Sequence, residues 1–193
     1  MQHDLFKTRV WKYNSGPMFL HLEDYIKDII AKDNGRTVSN VASWQSNGTL
    51  ANVDEFDTFI KYVKTMVTEP LIQYGIDTLN ISITVDDLWA NVSPKNGFNI
   101  IHDHCGDNNF FSFVYYLKTN DQNGTINFKT EVPSTKFINL PKKENTELNS
   151  DIVNIKVLPG DLIIFPAWLE HFTLPNPTDD MRTSIAGNVK IKA

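Results

Sequence analysis

Short apolar segments alternate with turn signals from residue 79 to the end of the chain, and this pattern limits the fold more than any other feature. Turn-forming pairs such as Asn96-Gly97, Asn123-Gly124 and Pro159-Gly160 separate segments that are rich in β-branched and aromatic residues. Many short strands with frequent turns are typical of a jelly roll of two sheets or of a barrel. The predicted strands are 79–85, 89–92, 98–104, 111–118, 124–129, 152–157, 161–165, 171–174 and 183–191.

The first 78 residues carry two helical patterns instead. One apolar stripe runs through residues 22–30 and is followed by the stop signal Asn34-Gly35. A second stripe runs through residues 56–67, with Asp54 as its predicted N-cap and Pro70 at the point where the helix should end or kink. Both stripes predict helices that pack on one face of a sheet.

Helices followed by strands predict an α+β fold built on a β-sandwich core. A length of 193 residues suits a single domain and is somewhat short for two. We therefore predict one domain over residues 1–193, in which 1–78 form a helix-rich support and 79–193 form the core. The polar stretch 133–150 has no hydrophobic period and is predicted to be an exposed loop, either a plain insertion or a functional flap.

Composition and charge exclude several classes of partner. No window reaches the roughly 18 apolar residues of a membrane span, and the first residues lack the basic start and apolar run of a secretory signal. The formal net charge of −5 argues against a nucleic-acid partner, which usually requires a basic surface. The single cysteine, Cys105, cannot form an intrachain disulfide and fits a reducing compartment. We expect the cytoplasm, or that of a host if the chain is viral.

Two histidines stand two residues apart on the predicted strand 98–104. Side chains at positions i and i+2 of a strand project from the same face, so His102 and His104 can point into one cavity while Asp103 points away. Such a pair alone is weak evidence for a metal. His171 strengthens it, because it follows a turn and a buried-type strand in the same half of the chain. The three histidines together form a candidate metal site.

An arginine lies eleven residues beyond His171. Arginine is scarce here, with only Arg9, Arg36 and Arg182 among 18 basic residues. Arg182 and Ser184 fall on one face of a predicted strand. A guanidinium donates two parallel hydrogen bonds in a fixed fork and is a natural clamp for a carboxylate. The second half of the chain therefore combines a histidine group with a device for binding a carboxylate.

The order of these motifs resembles the catalytic half of 2-oxoglutarate- and Fe(II)-dependent oxygenases, closest to the prolyl-hydroxylase-like branch and its phage-type relatives. The resemblance covers residues 89–188, about half of the chain. The segments that carry it are Trp89-Ala90-Asn91, His102-Asp103-His104, the strands 113–117 and 124–128, the run 159–166 before His171, and Arg182-Thr183-Ser184-Ile185.

The resemblance implies a double-stranded β-helix, the cupin-like form of the jelly roll, with Fe(II), 2-oxoglutarate and O2 as cofactor and cosubstrates. It implies a dioxygenase that hydroxylates a C–H bond of a peptidyl or small-molecule substrate and releases succinate and CO2. Arg182 would bind the distal carboxylate of 2-oxoglutarate, with Ser184 beside it. Tyr116 occupies the position where related oxygenases use a strand tyrosine for the same carboxylate.

One position departs from the commoner pattern of the superfamily. Most members carry a carboxylate two residues after the first histidine, where this chain has His104. Phage-type members with two histidines at this point resemble the chain, which implies a site of His102, His104 and His171. Asp103 lies on the wrong face of a regular strand, and Asp107 would need the chain to fold back, although a bulge could bring either into the metal shell.

Two other functions stay open from the sequence. One is a cupin-like dioxygenase with three histidines that does not use 2-oxoglutarate. The other is a non-catalytic β-sandwich binding module in which the histidines are buried and neutral. Arg182 at its family position favours the 2-oxoglutarate-dependent enzyme. Succinate formation separates it from the first alternative, and metal analysis separates it from the second.

Overall fold

A six-stranded antiparallel sheet, here called the major sheet, dominates the computed structural model, which describes residues 3, 7–106, 108–130, 141–146 and 149–192. A three-stranded antiparallel minor sheet faces it, and two short strands form a separate pair. The strands are β1 (Trp11–Asn14), β2 (Asn40–Val41), β3 (Trp44–Gln45), β4 (Ser82–Ser93), β5 (Phe98–Asn99), β6 (Asn109–Lys118), β7 (Thr125–Lys129), β8 (Ile152–Lys156), β9 (Asp161–Pro166), β10 (His171–Phe172) and β11 (Arg182–Lys192).

The strand order in the major sheet is β1-β9-β6-β11-β4-β3, and the minor sheet has the order β10-β7-β8. Consecutive strands therefore cross repeatedly between the two sheets, which gives the double-stranded β-helix that the resemblance implied. Apolar side chains from both sheets meet in one cluster: Tyr116 and Phe165 come from the major sheet, and Ile126 and Phe128 from the minor sheet. The space between the sheets is thus closed on one side by an apolar core.

Two helices cover the other face of the major sheet. They are α1 (Leu22–Ile30) and α2 (Asp57–Gln73). Phe59 of α2 lies with its ring centroid 5.1 Å from that of Tyr115 on β6 and 6.2 Å from that of Phe113. Residues 111, 113 and 115 of β6 face the helices because alternate side chains of a strand project to opposite faces. The intervening residues face the minor sheet, so the α+β prediction and the packing of helices on one sheet are confirmed.

The ends of α2 differ from the sequence prediction. Asp54 is not its N-cap, because residues 54–56 form a turn of 3-10 helix that leads into the α-helix. Pro70 lies inside the helix, which continues for one more turn. The helix ends at Gln73 and is followed by Gly75, whose φ of +75° permits a cap in which the Gly75 amide donates to Ile72 O and the Ile76 amide to Leu71 O. The stop signal is therefore glycine and not proline.

Several predicted strands also change. The predicted strands 79–85 and 89–92 are one strand, β4, and the predicted strand 98–104 is reduced to the two residues of β5. The first 78 residues contribute β1, β2 and β3, which have no alternating pattern long enough to predict. β1 pairs with β9 and β3 pairs with β4, so this segment supplies both edges of the major sheet.

The predicted loop 133–150 falls largely outside the described residues. Within its described part, residues 141–146 and 149–150 form bends, turns and irregular chain without a strand or helix. Neither helix in the described part of the chain combines the length and the apolar character needed to cross a membrane.

Candidate active site

A cavity of about 340 Å³ lies between the two sheets. Its floor is one face of the major sheet, to which three strands contribute every second residue. These residues form rows across the strands, because Asn91 of β4 pairs with Ser184 of β11, which pairs with Tyr116 of β6. The floor residues are Asp87, Trp89, Asn91 and Ser93 of β4, Val114 and Tyr116 of β6, and Arg182, Ser184, Ala186 and Asn188 of β11.

His102, His104 and His171, here called the histidine cluster, meet at one side of this cavity. One ring nitrogen from each lies within 4.8 Å of the others. The ring centroids are 4.3 Å apart for His102 and His171, and 5.1 Å apart for each of the other two pairs. The structure thus brings together the three histidines that the sequence singled out, in an arrangement that can hold one metal ion.

Backbone carbonyl groups fix the orientation of two rings in the cluster. The Nδ1 atom of His102 lies 2.7 Å from Ile100 O, and that of His171 lies 3.0 Å from Leu169 O. A carbonyl oxygen only accepts, so Nδ1 donates in both rings and Nε2 keeps its lone pair. Such an outer hydrogen bond selects the tautomer that binds a metal and orients the ring.

Burial lowers the pKa of all three imidazoles, because it disfavours the charged form. The pKa of His104 falls to about 4, with a further contribution from the nearby His102. Burial is also the largest cause for His171, whose pKa lies well below its ordinary value and is lowered further by His102 and His104. The pKa of His102 is lowered by burial as well. The cluster is therefore neutral near pH 7, which is the form that binds a metal.

The backbone around His102 and His104 differs from the sequence prediction. They do not lie on a regular strand, although the prediction placed both on strand 98–104. His102 and His171 exchange both backbone hydrogen bonds in an isolated bridge, and the amide of His104 donates to Ala167 O over 2.8 Å. The segment is thus held against residues 167–171 by single contacts, which bring the two rings close to His171 without a continuous ladder.

No carboxylate of the described residues belongs to the histidine cluster. Asp103 instead accepts a hydrogen bond from the amide of Cys105 through Oδ1, over 2.8 Å. Asp107, the other alternative from the sequence, lies outside the described residues. Among the described residues, the third side chain of the cluster is therefore the imidazole of His104.

Arg182 lies on the cavity floor at the start of β11 and is only 4% exposed. Its Nη2 atom donates to Thr173 Oγ1 over 2.9 Å, and Nη1 donates to the carbonyl groups of Asn123 and Leu174 over 3.3 and 3.4 Å. No carboxylate among the described residues lies within ion-pair distance of it. Burial lowers the pKa of this guanidinium because it disfavours the charged form, and an anion in the cavity would stabilise that form.

Tyr116 and Ser184, for which the resemblance implied a role in binding the cosubstrate, line the cavity together with Arg182. They are paired in register on β6 and β11, and both are buried. Burial raises the pKa of Tyr116 despite the opposing effect of Arg182, so the phenol stays protonated and can donate a hydrogen bond. Two hydroxyl groups and a guanidinium are therefore placed together at one end of the cavity.

Sequence reasoning missed two amide side chains on the same floor. Gln45 of β3 is 3% exposed and pairs in register with Asn91 of β4. Gln45 Oε1 and Asn91 Oδ1 are buried without a hydrogen-bond partner. Gln45 lies outside the motif-bearing half of the chain, and Asn91 was noted only as part of the segment Trp89-Ala90-Asn91, without a role of its own. Only the pairing of β3 with β4 brings them to the cavity.

The sequence matches the model of the family described as "Putative 2OG-Fe(II) oxygenase" over residues 87–188, which is more than half of the 193 residues. The chain belongs to the 2OG-Fe(II) oxygenase family. It is thus a non-haem iron oxygenase that depends on 2-oxoglutarate, and this family membership decides against both the cupin-like dioxygenase and the binding module. No curated protein matches the sequence significantly.

Several solved structures share the fold. A prolyl-4-hydroxylase from Pseudomonas putida superimposes with a TM-score of 0.65 at 13% identity, over 97% of this chain and 95% of that one. HygX from Streptomyces hygroscopicus, crystallised with nickel, 2-oxoglutarate and hygromycin B, gives 0.59 at 12%, over 95% and 83%. The viral collagen prolyl hydroxylase from Paramecium Bursaria Chlorella virus-1 gives 0.58 at 15%, over 93% and 94%. At such identities the likeness establishes the fold.

Proposed function

We propose that this enzyme hydroxylates an unactivated C–H bond, with Fe(II) held by His102, His104 and His171 and with 2-oxoglutarate held by Arg182. The observation that carries the proposal is the presence of a neutral three-imidazole cluster and a buried, unpaired guanidinium in one cavity. The first can hold a metal and the second requires an anion. The packing of the two sheets explains neither the histidine cluster nor the buried guanidinium.

The donor set fits a divalent iron. Imidazole nitrogen is a suitable ligand for Fe(II), and three ligands on one side of the ion leave adjacent positions for other groups. The carbonyl groups of Ile100 and Leu169 hold the rings of His102 and His171 with Nε2 available. A third imidazole in place of a carboxylate leaves the site one unit more positive, which favours a dianionic cosubstrate.

The opposite end of the floor fits the distal carboxylate of 2-oxoglutarate. The guanidinium of Arg182 is already oriented by Thr173 Oγ1 and by two carbonyl groups, so it loses little freedom when a carboxylate binds. The hydroxyl groups of Tyr116 and Ser184 can each donate one more hydrogen bond to the same group. Charge-assisted hydrogen bonds of this kind are the strongest that a protein supplies to a carboxylate.

When bound, Fe(II), 2-oxoglutarate and O2 supply the oxidative chemistry, in which the keto acid becomes succinate and CO2 while a substrate C–H becomes C–OH. The residues of this chain bind, orient and shield. Arg182 fixes the far end of the keto acid and the histidine cluster fixes the near end. The rings of Phe165 and Trp89 lie with their centroids 4.6 Å from that of His171 and 5.5 Å from that of His104, and they limit the access of water.

The substrate is proposed to be a peptidyl or small-molecule compound, and no nucleic acid or membrane is included among the partners. A net charge of −5 supports the exclusion of nucleic acid. The cytoplasm is the proposed compartment, because a chain with one cysteine gains nothing from an oxidising environment.

The deciding experiment compares four single variants by Fe(II) titration and by succinate formation. His104→Ala should weaken metal binding by more than about a hundredfold and lower turnover strongly, because it removes a ligand. His104→Asp should keep iron and some uncoupled turnover of 2-oxoglutarate, since a carboxylate restores the commoner ligand set. Asp103→Ala should change neither quantity, because Asp103 is bonded to a backbone amide.

The variant Asp107→Ala completes the comparison. If Asp103→Ala or Asp107→Ala loses iron while His104→Ala binds it at wild-type affinity, the three-histidine assignment is wrong. Purified protein that forms no succinate from 2-oxoglutarate under any condition, with iron bound, would overturn the proposed reaction itself.

A further inference from the structure

The cavity has a second charged region that the binding of iron and 2-oxoglutarate leaves unused. Arg36 and Asp87 both line it, together with apolar residues of the entrance. Arg36 precedes β2 in a segment outside the residues that match the family, and Asp87 is the first cavity-facing residue of β4. Asp87 therefore lies near the middle of β4, six residues from Ser93, which pairs with Arg182.

The two charged groups face each other across Gly48. A Cβ atom at Gly48 would lie 2.8 Å from Asp87 Oδ1 and 3.4 Å from Arg36 Nη2. The absence of a side chain at this glycine leaves the space between them open. The backbone of Gly48 is fixed there, because its carbonyl accepts a hydrogen bond from the amide of Leu88 over 3.1 Å.

Arg36 and Asp87 do not form a direct ion pair with each other. They are not within 4.0 Å, and neither forms an ion pair with any other described residue. The side chain of Asp87 has one described contact, a long hydrogen bond of 3.4 Å from Asn188 Nδ2 to Oδ2. A cation and an anion that are close but separate match a ligand that itself carries both charges.

The unpaired amide oxygen atoms in the cavity point to the same kind of ligand. Gln45 Oε1 and Asn91 Oδ1 are buried acceptors that need a hydrogen-bond donor. 2-Oxoglutarate has no donor at neutral pH, whereas an ammonium group has three. Gln45 lies next to Arg36, whose backbone amide donates to Gln45 O over 2.8 Å. A ligand that carries N–H donors would satisfy these acceptors, which lie further along the cavity floor, since Asn91 is four residues beyond Asp87 on β4.

The size and the lining of the cavity favour a small ligand with an apolar part. A volume of about 340 Å³ lies at the lower end of ligand pockets and must also hold the cosubstrate. Val38 and Ile100 line the entrance and are 62% and 48% exposed, and Trp89 lies between Asp87 and the histidine cluster along β4. An aliphatic chain can lie on these side chains and reach the cluster.

We infer that the substrate is a free α-amino acid, with its carboxylate on Arg36, its ammonium group on Asp87 and its aliphatic side chain directed toward the histidine cluster. This inference rests on the proposed function and specifies its substrate class. The segment that carries Arg36 and Gln45 then determines specificity.

Binding and turnover are measured separately to test it. The twenty proteinogenic L-amino acids are titrated into the enzyme loaded with Ni²⁺ and 2-oxoglutarate, with binding followed by ligand-observed NMR, and the Fe(II) enzyme is assayed for stimulated succinate formation. At least one aliphatic amino acid should bind and stimulate, whereas its N-acetyl derivative and its methyl ester should do neither. Arg36→Gln and Asp87→Asn should each weaken binding by about tenfold or more.

The chain offers two control substitutions of the same chemical type. Asp86→Asn changes the neighbour of Asp87, which faces the other side of β4 and pairs with Lys190, and Arg9→Gln changes an exposed arginine bonded to Gln73. Both controls should bind the amino acid as the wild type does. If no free amino acid binds, or if the N-acetyl derivative or peptides bind better, the inference is wrong. The proposed function still holds in that case if the Fe(II) enzyme forms succinate from 2-oxoglutarate. It is wrong if the enzyme forms none.

Discussion

Arg182 is buried with a positive charge that no described carboxylate balances, and such a state is costly unless a ligand compensates it. Its hydrogen bonds go to neutral oxygen atoms of Thr173, Asn123 and Leu174. These contacts orient the guanidinium but do not neutralise its charge. The residue is therefore prepared for an anion at the cost of some stability of the ligand-free protein.

The variant Arg182→Ala should weaken the binding of 2-oxoglutarate by about a hundredfold, because a charge-assisted contact is worth roughly 1.5–3 kcal/mol. Arg182→Lys should recover only part of the loss, since an ammonium group cannot reproduce the planar fork. Calorimetric titration of 2-oxoglutarate into the Ni²⁺-loaded enzyme measures both. Arg9→Gln serves as the control with wild-type affinity. An unchanged dissociation constant in Arg182→Ala would place the clamp on another cation.

Local sequence signals predicted the residues whose chemistry is rare in this chain. Three histidines and one arginine fall at motif spacing, so His102, His171 and Arg182 could be singled out without a structure. Gln45 and Asp87 could not. Amide and carboxylate side chains are common here, and these two reach the cavity only because β3 pairs with β4 and because alternate residues of β4 face inward. Such long-range pairing leaves no trace in a short window of sequence.

At the scale of elements, the segment that carries His102 and His104 shows how the three predicted rings can converge although the predicted strand is wrong. The sequence pattern predicted strand 98–104, but only Phe98 and Asn99 pair regularly. Gly106 and Asn108, with φ of +119° and +61°, turn the chain immediately after the histidines. The three histidine rings meet because His102 pairs with His171 in an isolated bridge. They therefore lie close together although no regular strand carries His102 and His104.

Gly160 is the element-scale position where a small change should have a large effect. It has φ of +90°, its amide donates to Tyr116 O over 2.8 Å, and a Cβ atom there would overlap the carbonyl oxygen of Gly16. Gly160→Ala should lower the free energy of unfolding by about 3 kcal/mol, since strained backbone and steric overlap add. Urea denaturation measures the loss.

Gly75→Ala is the matched control for this substitution. Gly75 has a similar φ of +75° but nothing within 4 Å of a Cβ atom, so it isolates the backbone term. Gly75→Ala should lower the free energy of unfolding by about 1–2 kcal/mol. Equal losses in the two variants would show that the contact with Gly16 relaxes at no cost.

At the scale of the whole molecule, the histidine cluster joins two distant parts of the chain. His102 and His104 precede β6, and His171 belongs to the minor sheet. A metal that binds all three stabilises only the folded state. At a free Ni²⁺ concentration of about 100 times the dissociation constant, the gain is about 2.7 kcal/mol, which should raise Tm by about 5–10 °C. Thermal unfolding followed by circular dichroism measures this shift.

The variant His171→Ala should lose most of that increase in Tm, because the remaining pair binds the metal weakly. Its Tm without metal should fall below that of the wild type, since a buried ring is removed, so the increase with Ni²⁺ is measured from the variant's own metal-free Tm. A full increase in Tm in the variant would mean that Ni²⁺ stabilises the protein from another site.

The strand order indicates that the first 78 residues cover the edges of the major sheet and so oppose aggregation. β1 and β3 are the outermost strands of the major sheet and are only four and two residues long. A chain beginning at residue 79 would expose β9 and the twelve-residue β4 as open edges instead. Long apolar edges with unpaired amide and carbonyl groups recruit further strands. The amino-terminal segment thus ends the major sheet on both sides. Without it, the exposed edge strands would pair with other chains and promote aggregation.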